Sequence, residues 1–216
     1  MEIKWLGHSC FEIKDNKGTV IVTDPFNRDM VGYKMPEVKA DVVTVSHGHH
    51  DHNCLGNVRG SFTVIDKPCK MLFNGINIQG SECFHDNEKG SLRGKNIAFS
   101  FIVDGIRVCH MGDIGETCRD FDLASVEPVD VLLIPVGGKY TVNAAEAKNY
   151  VDALSPSYVI PMHYNISGCN FEIDGIDKFL DFFRKEDIIF THSNKINIEK
   201  EDLHKNLTAK ILVLDK

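Results

Sequence analysis

The chain has 216 residues, 43% of them hydrophobic, enough for a substantial core in a single domain spanning residues 1–216. Its 24 Lys and Arg stand against 31 Asp and Glu, a formal net charge of −7, which excludes a broad basic surface for nucleic acid. The seven cysteines (Cys10, Cys54, Cys69, Cys83, Cys109, Cys118, Cys169) are odd in number and never spaced Cys-x-x-Cys, as reduced thiols would be; no signal-peptide pattern follows Met1 and no apolar run approaches a membrane span, so a cytoplasmic protein is expected.

Short strands are predicted over Glu2 to Trp5, Cys10 to Ile13 and Thr19 to Thr23, with Asp15-Asn16-Lys17-Gly18 as a hairpin turn. Asp24-Pro25-Phe26 stops the third, and an irregular stretch around Gly32 to Pro36 precedes a strand over Asp41 to Ser46. A short helix or turn is expected near Asn53 to Val58, then strands over Phe62 to Ile65 and Ile76 to Phe84. Lys95 to Val103 and Ile106 to His110 flank Asp104-Gly105, a pair suited to a primed two-residue turn. Val131 to Val136 reads as a buried strand, and Ala144, Ala147, Tyr150, Val151 and Leu154 recur at helical spacing behind Asn143 as N-cap. A strand over Tyr158 to Pro161, a helix over Ile176 to Phe183, and strands over Ile188 to Phe190 and Lys210 to Leu214 complete the pattern. Nothing resembles a linker, and the mixture suggests two sheets packed together with helices outside.

The apolar run Val42-Val43-Thr44-Val45 ends in Ser46-His47-Gly48-His49-His50-Asp51-His52, four histidines and an aspartate within six residues. So many polar ring nitrogens at a strand end need partners, and a metal ion is the one this residue set suits. Imidazole with carboxylate fits zinc, and manganese or iron where carboxylates are more numerous or coordination expands. Two ions sharing one hydroxide would need more ligands than the cluster holds; His85, Asp113 and His163, each at a strand end or loop, are the candidates to supply them.

With these residues in order, His47-x-His49-x-Asp51-His52, a later histidine, Gly112-Asp113 and a final His163 after a strand, the chain resembles the metallo-β-lactamase superfamily. The resemblance implies an α/β fold, the αββα sandwich of two mixed sheets with helices outside, and a binuclear site at one edge. His47, His49 and His85 would hold the first metal, Asp51, His52 and His163 the second, with Asp113 bridging; the cofactors implied are two divalent ions, zinc first, manganese or iron as alternatives. Leu6-Gly7-His8-Ser9-Cys10-Phe11, Thr23-Asp24-Pro25-Phe26, His110-Met111-Gly112-Asp113-Ile114-Gly115, Pro135 to Thr141 and Pro161-Met162-His163-Tyr164 look like the branch containing L-ascorbate-6-phosphate lactonase. Two departures weigh against antibiotic or glyoxalase-type thioester hydrolysis: Asp51-His52-Asn53-Cys54-Leu55-Gly56 replaces the common D-H-x-G-G continuation, and no glycine-framed histidine motif surrounds His85.

The implied activity is hydrolysis of a small ester, lactone or phosphoester by a metal-bridging hydroxide, with Asp51 as the catalytic residue that orients the nucleophile and carries a proton to the leaving group. The alternatives are a phosphodiesterase or nuclease of the same superfamily, and a non-catalytic metal sensor. Expected partners are a small-molecule substrate, anionic ones included, and no membrane; a homo-oligomer stays open. His8 and His110 are candidates to orient a ligand or touch substrate. Asp24 either caps the turn before Pro25 or accepts a proton from a ligand histidine, and Lys139, Tyr140 and Thr141 lie either in a plain glycine turn or in a substrate-facing loop. His50 reads as solvent-facing or substrate-side, His192 and His204 as ordinary residues, and Cys54 and Cys109 as inert thiols.

Overall fold

The computed structural model describes residues 1–203 and 208–216, so His204 lies outside the described residues. The N-terminal half contains β1 (Glu2–Gly7), β2 (Cys10–Lys14), β3 (Val20–Thr23), the one-turn helix α1 (Arg28–Val31), β4 (Val38–Lys39), β5 (Val42–Thr44), β6 (Val58–Arg59), β7 (Thr63–Ile65), β8 (Cys69–Phe73) and β9 (Ile76–Phe84). There follow β10 (Lys95–Val103), β11 (Ile106–His110), β12 (Val131–Pro135), α2 (Ala144–Leu154), β13 (Tyr158–Met162), α3 (Asp177–Leu180), β14 (Ile188–Phe190), β15 (Lys195–Asn197) and β16 (Lys210–Val213).

Two large sheets result, ordered β15-β1-β2-β3-β5-β7 and β14-β16-β13-β12-β11-β10-β9-β8, with β4 and β6 paired apart. The first alternates cleanly: Ile3, Trp5, Phe11, Ile13, Ile21 and Val42 point into the core between the sheets. Their neighbours Leu6, Cys10, Val22 and Val43 point outward onto Phe26, Val31, Met35 and Val58. β12 is buried at every position, as parallel strands covered on both faces are. Asp104 and Gly105 both take positive φ, the primed hairpin the Asp-Gly pair requires.

The αββα layering is uneven. Over the second sheet, α2 starts at Asn143, whose side chain accepts from the N–H groups of Ala145 and Glu146. The helix expected over Ile176 to Phe183 is only one turn long, Asp177–Leu180. Over the first sheet the helical layer shrinks to α1, supplemented by β4, β6 and irregular chain. Strands β8 and β15 escape a sequence reading because β8 is an edge strand with Leu72 66% exposed, and the three residues of β15 are ordered by pairing with β1.

Strand direction decides where function can sit. β1, β3 and β5 run the same way within their sheet, as do β9, β11 and β13 within theirs. His8, Asp24, His85 and His163 each follow the last residue of such a strand directly, while His47 and Asp113 come three residues later. The ends of both sheets therefore converge on one rim.

Phe11 is fully buried between the sheets, so Phe11→Ala is expected to lower unfolding free energy by about 3–5 kcal/mol in urea titrations. Leu72→Ala should stay within about 0.5 kcal/mol of the parent.

Candidate metal centre

At the rim the two sheets are tied together through their backbones. The His8 carbonyl accepts from the His163 N–H (3.3 Å) and from Trp5 Nε1 (3.0 Å), and the Ser46 carbonyl accepts from the Ile97 N–H (2.9 Å). His8, Asp24 and His163 all adopt left-handed φ (52°, 40° and 51°), a conformation that costs about 1–3 kcal/mol in residues other than glycine and is characteristic of functional sites. Gly112 (φ 55°) has no such cost, and no larger residue fits there: a Cβ would stand 2.4 Å from Asn96 Oδ1 and 2.6 Å from Ser46 Cβ.

Gly112 thereby lets the chain press against Ser46 and set Asp113 in the middle of the histidines. Asn96 fixes that turn, accepting from the Asp113 N–H (2.9 Å) and donating to the Met111 carbonyl (2.9 Å). Asp113 Oδ2 lies 3.2 Å from His52 Nε2, 3.2 Å from His163 Nε2, 3.4 Å from His85 Nε2 and 4.0 Å from His47 Nε2. Ligating atoms of His47, His49 and His85 fall within 4.8 Å of one another, as do those of His8, Asp51, His52 and His163, and those of His47, His52 and Asp113. His47 Nε2, His52 Nε2 and Asp113 Oδ1 are buried without a hydrogen-bond partner. Buried polar atoms left so, in a set of imidazoles and carboxylates, fit divalent metal ions.

The ring orientations have identifiable causes. Asp24, fully buried, accepts from the Ser46 N–H (2.7 Å) and Oγ–H (2.6 Å) and from His52 Nδ1 (2.9 Å). With its Nδ1 proton committed there, His52 presents Nε2 to the site. His8 Nε2 lies 3.3 Å from Asp51 Oδ2, and because an ionised carboxylate only accepts, His8 is the donor.

Charge follows the same geometry. Burial, followed by the neighbouring His163, lowers His8 to about 4. Burial, followed by His52, lowers His47 to about 3. Burial alone would also lower His52, but Asp113, Asp24 and Asp51 outweigh it and raise this imidazole well above its usual value. Burial would raise Asp113 and Asp51; instead His163 and His52 around Asp113, and hydrogen bonds from His52 and His8 to Asp51, hold both well below the ordinary carboxylate range.

Beyond the central set, the predicted residues divide. Tyr140 and His50 line a cavity of about 470 Å³ that opens onto His49, Asp51, His85, Asp113 and His163. Lys139 is exposed and pairs with Glu172 (3.0 Å). Thr141 is outside the cavity lining and donates to the Val142 carbonyl. His110 reaches the site only through backbone, its Nε2 on the Ser9 carbonyl (2.8 Å) and its Nδ1 accepting from the Gly112 N–H (3.2 Å). His192 is exposed, and all seven cysteines are free. Sequence reasoning passed over Met30, Arg93 and Phe171, which also line the cavity. Met30 comes from α1, Arg93 and Phe171 from loops, and no spacing pattern links them to the histidines.

A sequence profile of the beta-lactamase superfamily domain matches residues 2–163, the span that holds the whole cluster. The chain belongs to the metallo-β-lactamase superfamily. Among its relatives are UPF0173 metal-dependent hydrolases of Carboxydothermus hydrogenoformans, 30% identical over 76% of this chain and 85% of that one, and of Archaeoglobus fulgidus, 31% identical over 76% and 84%. A Thermotoga maritima structure assigned as a Zn-dependent hydrolase of the superfamily shares 38% identity, covers 99% of this chain and 97% of its own, and superposes with a TM-score of 0.80. The Igni18 metallo hydrolase of Ignicoccus hospitalis, 21% identical over 76% of this chain and 82% of its own with a TM-score of 0.59, shares the fold. Among the described residues no helix is long and apolar enough to cross a membrane.

Two measurements check this metallo-β-lactamase rim. Asp24→Asn is expected to weaken metal binding about 10–100-fold in chelator competition, since Asp24 orients His52. Metal-stripped protein should be most stable in urea near about pH 6.5. Below that pH the lowered His8 and His47 favour the unfolded chain, which takes up protons more readily, and the stability from the depressed Asp51 and Asp113 is lost at still lower pH. The stability contributed by the raised His52 is fully present below about pH 6.5 and is lost as the pH rises through its folded-state value.

Proposed function

We propose that this metal-dependent hydrolase works with two divalent ions, zinc foremost, on a small ester, lactone or phosphoester. The observation that carries the reading is the pair of donor sets around Asp113, one of His47, His49 and His85 and one of Asp51, His52 and His163 with His8. A histidine-rich set of this kind suits zinc, with manganese or iron as alternatives. Bound there, such ions would supply a water acidic enough to attack at neutral pH and a Lewis acid for the scissile carbonyl or phosphoryl oxygen.

The chain's own residues do the rest. Asp51, ionised and lining the cavity, takes the proton that the attacking water releases and passes it to the leaving-group oxygen as general acid. His8 donates to Asp51 Oδ2 and, kept neutral by its burial, holds Asp51 in place without adding charge. Phe171 stacks on His8 at 5.4 Å between ring centroids and, with Met30 and Tyr140, gives the cavity walls apolar enough to shed bulk water.

A cavity of about 470 Å³ and the acidic chain favour a small molecule over nucleic acid. The motifs around His8, Asp24, Asp113 and Gly137 to Thr141, which resemble those of the L-ascorbate-6-phosphate lactonase branch, support a lactone as the substrate class. Both donor sets are complete, which argues against a sensor that has lost catalysis. The free thiols support a reducing, cytoplasmic compartment.

Purified protein reconstituted separately with zinc, manganese and iron, then assayed on lactones, phosphodiesters and thioesters, tests the reading. Binding of about two equivalents of metal is expected, with His163→Ala reducing it and Asp51→Asn lowering turnover at least about 100-fold. A metal content below about one equivalent, unaffected by both substitutions, would sink it.

A further inference from the structure

The cavity over the histidines has one feature the hydrolytic machinery leaves unused, Arg93. It is the only lysine or arginine among the lining residues. Its guanidinium donates to the Lys139 carbonyl at 3.3 Å and lies 5.6 Å from the Tyr140 ring centroid. Among the described residues it forms no salt bridge to a carboxylate, whereas the adjacent Lys139 is engaged by Glu172. A guanidinium has five N–H donors, so most of Arg93's recognition capacity is uncommitted.

The segment that carries it is built. Asp86, next to His85 and 3% exposed, accepts at Oδ1 from the N–H groups of Glu88 (2.8 Å) and Gly90 (2.8 Å), and at Oδ2 from those of Leu92 (3.0 Å) and Arg93 itself (2.7 Å). The Gly94 carbonyl accepts from the His85 N–H (3.0 Å), closing the loop back onto the metal rim. Gly115 allows the close fit, since a Cβ there would stand 2.4 Å from the Asp86 N. A loop wound around a buried carboxylate thus holds His85 at one end and Arg93 at the other. Between Arg93 and the histidines runs an aromatic wall, Tyr140 to Phe171 at 6.0 Å and Phe171 to His8 at 5.4 Å.

We propose that Arg93 docks an oxyanion of the substrate remote from the bond that is hydrolysed, so that the substrate is a small ester or lactone bearing a phosphate or carboxylate, its body lying along Tyr140 and Phe171. Arginine meets both groups with paired, charge-assisted hydrogen bonds, and a neutral substrate would leave the guanidinium unused. The substrate class named here rests on the hydrolase reading; the docking itself is measurable without turnover.

The test is calorimetric titration of parent, Arg93→Gln and Arg93→Lys proteins with phenyl phosphate and with benzoate, each protein both zinc-loaded and metal-stripped. Unchanged zinc content and urea midpoint verify that the variants are folded. Arg93→Gln is expected to weaken binding at least about 10-fold with Arg93→Lys between, in both metal states. A response to phenyl phosphate alone assigns a phosphate, and a response to benzoate alone a carboxylate. Equal affinity in parent and Arg93→Gln, binding that vanishes with zinc, or no binding of either probe to the parent would overturn the proposal. On ester substrates, Arg93→Gln should lower the preference for an anionic over a neutral ester at least about 10-fold, mainly through KM. If no ester is turned over while the binding contrast persists, the hydrolase reading fails and the docking stands; if both esters decline equally, the docking fails and the hydrolase reading stands.

Discussion

A single buried carboxylate organises this protein. Asp113 lies within 4.0 Å of four imidazoles contributed by both halves of the chain, and leaving such groups in a low-dielectric interior without metal or proton is expensive. The fold tolerates this because the donors sit at strand ends or in the turn that follows one. Six residues of the rim follow strands that run the same way within their sheets, so the sandwich presents them together while its apolar core continues undisturbed beneath. The tolerance is local, and it shows as left-handed backbone at His8, Asp24 and His163 and as polar atoms without partners.

Buried ligating atoms without hydrogen-bond partners, gathered in one place, are what a metal site demands. Ser46 and Asp24 keep His52 in one orientation, and Asn96 and Gly112 hold the Asp113 turn against the first sheet. These contacts join the sheets directly beneath the cluster, so the donors are positioned by main-chain and carboxylate hydrogen bonds. A site held in this way is ready before an ion arrives, and the metal's binding energy is free to stabilise the fold instead of assembling it.

Above the rim, the chemistry and the selection of substrate come from different parts of the chain. The histidines and aspartates belong to strand ends and to the turns that follow them. Met30, Arg93, Tyr140 and Phe171 sit in connections between strands, where length and composition can change without disturbing the core. The Asp86-centred loop shows how such a connection gains precision: its backbone N–H groups are satisfied by one carboxylate instead of by a sheet.

The sequence alone determined the local matters. Alternation in β1, β2, β3 and β5, the Asp104-Gly105 turn, the Asn143 cap and the crowding of His47 to His52 are all written within a few residues, because side-chain period, positive φ and ligand density are short-range properties. Asp51, His85, Asp113 and His163 could be placed in the site through the resemblance their order carries. The tertiary structure decided what depends on distance through space. It brought His8 onto Asp51 and Asp24 onto His52, left Thr141 outside the cavity lining, shortened the helix at Asp177 and ordered β15 against β1. It also set Arg93 over the cavity, 46 residues in sequence from the Lys139 carbonyl it touches. No periodicity encodes such a meeting, since it arises only when two sheets pack and their strand ends close on one rim.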